Sequence, residues 1–314
     1  MGINQMLALP ERIRHKIVSL TERSHHSHMD LNTALPWSQG IDKGLYPKRP
    51  DTCFIYGTAA WDALTPEQRL QLAWDETVRD VSMFIWLEQT LPPLYVGFIN
   101  KQGHLLPDYL KDYLLVFSKE EIVHIQVFRR YMEMLGLPLY GAPPGLHELC
   151  VEKLPTMHPV VGILCTLLLE WVAENGAQHC VASDAVDPLT RRLFRAHHRE
   201  ELRHIAFARW VVSALAPQLP APEQARLRQF TETLVERLFP QYTINAEIAT
   251  RVPFPLGFTL DDETALHAAR YSPNNLRIND ERFSPIIRWV RENELVSPGF
   301  TFPCMPAEGP AGAA

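Results

Sequence analysis

Four long stretches of the chain place apolar residues three and four positions apart, the spacing of helices with one buried face. The first, LTPEQRLQLAWDETVRDVSMFIWLEQTL, opens with Thr65 as N-cap, Pro66 at the first helical position and Gln68 completing a capping box. It is expected to stop at Pro92-Pro93. The second covers about 107–135, with Gly136 placed to cap its C-terminus. The third, about 159–176, is apolar on nearly every side, which predicts a central helix. The fourth begins at the Asp187-Pro188 pair and continues past Trp210 to Pro217.

Four such segments predict an all-α fold with a four-helix bundle core over about 60–217. A further helix is expected near 9–24, followed by a Pro- and Gly-punctuated loop to about 60. More helices are expected near 222–238, 262–270 and 283–292, with a Pro/Gly-rich tail from about Ser297. No stretch alternates like a strand and no short repeat occurs, so one domain, 1–314, with helical decorations is the simplest organisation.

Composition narrows the function classes. Of 314 residues, 46% are hydrophobic and 21% charged, which is ordinary for a globular protein. The net charge of −6, with no long basic run, argues against a nucleic-acid partner. The five cysteines (Cys53, Cys150, Cys165, Cys180, Cys304) are odd in number and form no CxxC pair. A disulfide framework or thiolate zinc site is therefore not expected, and a cytoplasmic setting fits. The N-terminus lacks a signal-peptide layout. The longest apolar run, VVGILCTLLL (160–169), is too short to span a bilayer, so no membrane partner is expected.

The chemistry lies on the four long segments. The spacing ExxH occurs three times, at Glu22/His25, Glu121/His124 and Glu201/His204. Chance supplies matches this short, so context decides. Glu22/His25 sits in the polar LTERSHHSHMD and reads as a solvated helix end. The other two, in EEIVHIQVF and EELRHIAFA, lie inside amphipathic helices, where i and i+3 are about 60° apart and reach one centre. Two lone glutamates close apolar runs, Glu88 in VSMFIWLE and Glu170 in VVGILCTLLLE. A carboxylate there is costly unless paired or bound to a metal.

The four features form a repeat. Glu88 precedes Glu121 by 33 residues and Glu170 precedes Glu201 by 31, each a step from mid-helix to mid-helix. A lone Glu followed by ExxH on the next helix, used twice, is the ligand set of a two-metal carboxylate bundle. His197, four residues before Glu201 and seven before His204, shares their stripe and reads as a third imidazole ligand, with support of another ligand as the alternative. His198 and Glu200 fall off the stripe and read as solvent-facing groups or supports for the ligands. Carboxylates with imidazoles suit iron or manganese. Glu174, one turn beyond Glu170, is open to three roles: orienting an imidazole, meeting a substrate amine, or lying exposed. Arg203 and Arg288 are candidates for a substrate carboxylate. Trp86, Trp171 and Phe207 read as core.

With these residues in view, the sequence resembles the p-aminobenzoate N-oxygenase family of non-haem di-iron enzymes within the ferritin-like superfamily. The resemblance rests on Glu88, Glu121-x-x-His124, Glu170 and His197-x-x-x-Glu201-x-x-His204, and covers about 55–210. It implies that these seven residues bind two iron ions. It further implies that O2 is a co-substrate and that a small primary amine, aromatic or amino-acid-derived, becomes a hydroxylamine and onward a nitroso or nitro product. An external electron donor, a reductase or a ferredoxin, is implied as well, since no flavin or iron–sulfur motif occurs in the chain. A homodimer would fit. The alternatives are a di-iron C–H hydroxylase and a ferritin-like iron-binding protein. A radical-generating subunit is disfavoured by Phe128, which stands where such proteins carry a tyrosine.

Overall fold

A computed structural model describes residues 6–306, and within them ten α-helices and no β-strand. They are α1 (Glu11–His26), α2 (Ala59–Ala63), α3 (Pro66–Glu88), α4 (Leu91–Gln102), α5 (Asp108–Leu135), α6 (Pro159–Cys180), α7 (Pro188–Leu215), α8 (Ala221–Thr243), α9 (Glu263–Arg270) and α10 (Pro273–Glu292). The core is the expected bundle of α3, α5, α6 and α7. Its local signals work as read. Thr65 and Gln68 exchange the two hydrogen bonds of a capping box. Gly136 ends α5 in the left-handed region at φ 67°. One oxygen of Asp187 accepts from both the amide and the hydroxyl of Thr190, each at 2.8 Å, and caps α7.

Pro92-Pro93 departs from the expectation. These prolines start a helix instead of ending one. α3 closes at Glu88, Gln89 and Thr90 keep right-handed helical angles, and both prolines fall in the first turn of α4, where a missing N–H breaks no helical bond. α3 and α4 thus form one bent rod, and α5 packs along both halves. Glu88 consequently lies near the middle of the rod. At Gly162 the approach of α4 to α6 is so close that a Cβ would lie 2.3 Å from the Phe98 ring. Two other helices run longer than expected through internal prolines, α8 past Pro240 and α10 around Pro285. Both are held by packing, with the buried rings of Phe239 and Phe283 stacked 4.0 Å apart.

Two apolar clusters fill the bundle, one toward each end. Along α5 the order is Phe117 in one cluster, then Glu120, Glu121 and His124, then Phe128 in the other. Along α7 it runs the opposite way, from Phe194 through His197, Glu201 and His204 to Phe207. An ionisable layer is therefore sealed between two dry layers. α6 is the one helix among the described residues that is long and apolar enough to cross a bilayer, and nearly all of it is buried inside the bundle.

Candidate metal centre

Each core helix delivers its predicted residues to one point. Glu88 comes from α3, Glu121 and His124 from α5, Glu170 from α6, and His197, Glu201 and His204 from α7; none is more than 4% exposed. Their ligand-type atoms fall into two groups, each within 4.8 Å across. One comprises Glu88, His124, His197 and Glu201; the other comprises Glu121, His204 and again Glu201. Glu201 Oε1 lies 3.2 Å from His197 Nε2 and 3.3 Å from Nδ1 of both His124 and His204. Glu170 lies outside both groups, although Glu201, Glu121, His204 and Glu88 are near enough to act on its charge.

The inward atoms are under-used by the protein. Glu88 Oε2, Glu121 Oε2 and both oxygens of Glu170 are buried without a hydrogen-bond partner, and Glu121 Oε1, Glu201 Oε1, His124 Nδ1 and His204 Nδ1 meet only one another or His197, with His204 Nδ1 2.9 Å from Glu121 Oε1. Native interiors rarely tolerate one unpartnered carboxylate oxygen, and four of them beside this crowded carboxylate and imidazole cluster call for an occupant that accepts lone pairs. Carboxylate oxygens and imidazole nitrogens at this spacing fit divalent metal ions.

The outward atoms, by contrast, are satisfied. His124 Nε2 meets Glu200 Oε2 at 2.9 Å, and His204 Nε2 meets Glu120 Oε2 at 2.8 Å, so each ligand helix supports the imidazole of the other. Arg203 bridges the supports, 2.7 Å from Glu120 and 3.2 Å from Glu200. His197 Nδ1 meets Glu174 at 3.2 Å, leaving Nε2 to face Glu88 at 2.9 Å. A carboxylate on the outer nitrogen fixes the tautomer, placing the lone pair on the inner one. Aromatic rings fix the planes. Phe117 stacks on His204 at 3.6 Å, and Phe84 and Phe128 approach His197 edge-on at 5.0 and 4.9 Å.

The electrostatics follow from burial and crowding. Burial pushes Glu88 up to about 7 despite the attraction of His197 and His124. Glu170 is held well above the carboxylate range by burial, then by repulsion from Glu201 and Glu121. Glu201 moves the other way, because His197 and His204 outweigh its burial. His124 is raised to about 9; burial and His197 pull it down, but Glu121 and Glu200 prevail. Protons on imidazoles thus balance a surplus of carboxylates, a role two divalent cations would take over.

The structure gives the surroundings of the other residues singled out in the sequence. Glu174 is buried, not exposed, and meets two imidazoles, His197 and His198 (2.5 Å), and Gln178 (2.9 Å). Glu200 is buried, not solvent-facing, and accepts from the Met29 amide at 2.6 Å as well as meeting His124. Arg203 is engaged by Glu120 and Glu200, and Arg288 is exposed on α10; neither is available to a carboxylate at this centre. Glu22 and His25 are exposed at the end of α1, as read. Trp171 and Phe207 belong to the core, and half-buried Trp86 donates to the Tyr140 carbonyl at 2.8 Å. Glu120 was missed. The signal that would have found it is the doubled acid, since both buried ExxH motifs read Glu-Glu-x-x-His.

An all-α bundle of the ferritin-like class, with two linked carboxylate and imidazole groups at its centre, defines the kind of protein. The family model described as p-aminobenzoate N-oxygenase AurF matches residues 11–293, nearly the whole chain, and the chain belongs to that family. A comparison with curated proteins finds no match.

Proposed function

We propose that this protein is a non-haem di-iron N-oxygenase that converts a small primary amine, aromatic or amino-acid-derived, to its hydroxylamine, with nitroso and nitro products as further steps. The observation that carries this reading is the buried crowding of inward carboxylate oxygens and imidazole nitrogens on Glu88, Glu121, His124, His197, Glu201 and His204, with the unpartnered carboxylate of Glu170 beside them. Glu88, His124 and His197 would hold one iron, Glu121, Glu170 and His204 the other, with Glu201 shared. Bound iron would supply the redox chemistry that activates O2. The overall step is R–NH2 + O2 + two electrons + two protons → R–NHOH + H2O, with the electrons from an external donor.

The chain's own residues set the conditions for that step. Glu120, Glu174 and Glu200 hold the three imidazoles. Phe84, Phe117 and Phe128 keep water from the rings and favour the neutral amine, the form with a free lone pair. A cavity of about 20 Å3 adjoins the centre between Phe84 and Ala173 and is also lined by Arg282. It holds little more than one water. Arg282, buried with its Nε unpartnered, shares this cavity with Lys48, Glu76 and Asp80.

The test is product analysis. Iron-loaded protein, a chemical reductant and 18O2 are offered amines and hydrocarbons, and products are read by mass spectrometry. Label on the amine nitrogen is expected. Label on carbon would favour a hydroxylase, and iron oxidation with no organic product an iron-binding protein.

A further inference from the structure

The outer face of α7 carries an unusual charge pattern. Arg192, Arg195 and Arg199 form one exposed stripe, and among the described residues none has an acidic partner at ion-pair distance. Their neighbours on the same helix are neutralised, Arg191 by Asp184 and Arg203 by Glu120. Like charges three and four residues apart weaken a helix. Exposed basic residues without an acidic partner also occur elsewhere (Arg12, Lys119, Arg237), but here three are aligned on one face of one helix in a chain of net charge −6. The stripe forms one wall of an open groove of about 570 Å3, whose opposite wall is the segment 33–36 and whose floor includes Ala196 and Leu35.

We propose that this groove is the docking surface for a small acidic one-electron carrier protein, which reduces the metal pair. The proposal rests on the oxygenase reading above, which requires two electrons per turnover. Position supports it. α7 carries His197, Glu201 and His204 on its inner side, so the groove floor is about one helix diameter, roughly 10 Å, from the centre. A bonded route also crosses that distance. The Met29 amide, in the loop that leads to the groove wall, donates to Glu200 at 2.6 Å, and Glu200 meets His124 Nε2 at 2.9 Å. Electrons pass through such a wall and substrates do not: Ala196 and Leu35 are buried and close the floor. That argues for a redox partner over a carrier protein delivering a tethered amine. Two carrier molecules are each oxidised by one electron, and the two electrons enter the balance written above.

The test uses the full-length protein and, as probe, an acidic [2Fe–2S] ferredoxin. Binding is measured by calorimetry at low and high salt, with and without iron, and reduction of the ferric protein by stopped-flow absorbance. Two variants, R192E/R195E/R199E and R192Q/R195Q/R199Q, are compared. Salt-sensitive ferredoxin binding is expected, with affinity and reduction rate lowered about tenfold or more by the Glu variant and less by the Gln variant. Turnover with a small chemical reductant should be unchanged in both. Equal ferredoxin binding by the Glu variant, no saturable binding by the wild type, or exclusive binding of an acidic acyl-carrier protein would overturn the proposal. If ferredoxin docks and reduces the metals but no amine is oxygenated with any reductant, the oxygenase reading fails and the docking surface stands.

Discussion

Replacing Glu200 with Gln changes almost no volume, yet it sets two requirements against each other. Glu200 Oε1 accepts from the Met29 amide at 2.6 Å and Oε2 meets His124 Nε2 at 2.9 Å, so both ends act as acceptors. Gln has one acceptor end and one donor end. With its NH2 toward Met29, two donors collide and a buried amide is left unpaired, costing about 1–3 kcal/mol of apo-protein stability. With its NH2 toward His124, Nε2 must accept, which moves the ring proton to Nδ1. That is the nitrogen 3.3 Å from Glu201 and facing the centre, and a protonated nitrogen cannot bind a metal. Loss of an outer carboxylate lowers metal affinity by about 10–100-fold, or about 1.4–2.8 kcal/mol. Urea unfolding of the apo protein and calorimetric titration with Fe(II) or Mn(II) read the two branches separately. Wild-type stability together with wild-type affinity for both metals would refute the tautomer argument.

Other expectations follow from the same structure. His197→Ala should leave a folded protein whose metal affinity falls by about tenfold or more, read by titration; full loading and turnover would remove His197 from the ligand set. Lys48→Met strands Glu76, which the Lys48 ammonium meets at 2.8 Å with both groups buried, and should cost about 3–5 kcal/mol in urea unfolding. An unchanged midpoint would contradict this. Asp75 is raised by burial to about 6, against a pull from Arg251, while the unfolded chain titrates near 3.8. The folded state therefore binds the extra proton between these values, and the associated stability is full below about 4 and lost as pH rises through 6. Asp75→Asn should thus gain about 1–2 kcal/mol over wild type at pH 7.5, after allowance for solvent screening, with the gain shrinking toward pH 4. A gain independent of pH would show that the carboxyl is not shifted.

The helices of the candidate centre were legible because two independent periodicities coincide in them. Apolar spacing gives the helix, and Glu88, Glu121, His124, Glu170, His197, Glu201 and His204 fall on its inner stripe. The supporting groups were harder to read. Glu120 and Glu200 stand about 100° from the neighbouring candidates Glu121 and Glu201, an angle that in an isolated helix points to the side. What fills that side depends on the partner: α1 packs against both α5 and α7, and the segment after it brings the Met29 amide to Glu200. Pro92-Pro93 misled because proline at a first turn and proline at a stop look alike in sequence. Only the helical angles of Gln89 and Thr90 distinguish the two.

Metal stoichiometry tests the two-metal centre most directly. The apo protein is loaded anaerobically with Fe(II), desalted, and assayed for iron per folded chain, alongside a Glu201→Ala variant. Two irons per wild-type chain are expected, with retention reduced in the variant because Glu201 belongs to both groups. A folded wild-type chain that retains one iron or none would contradict the two-metal centre.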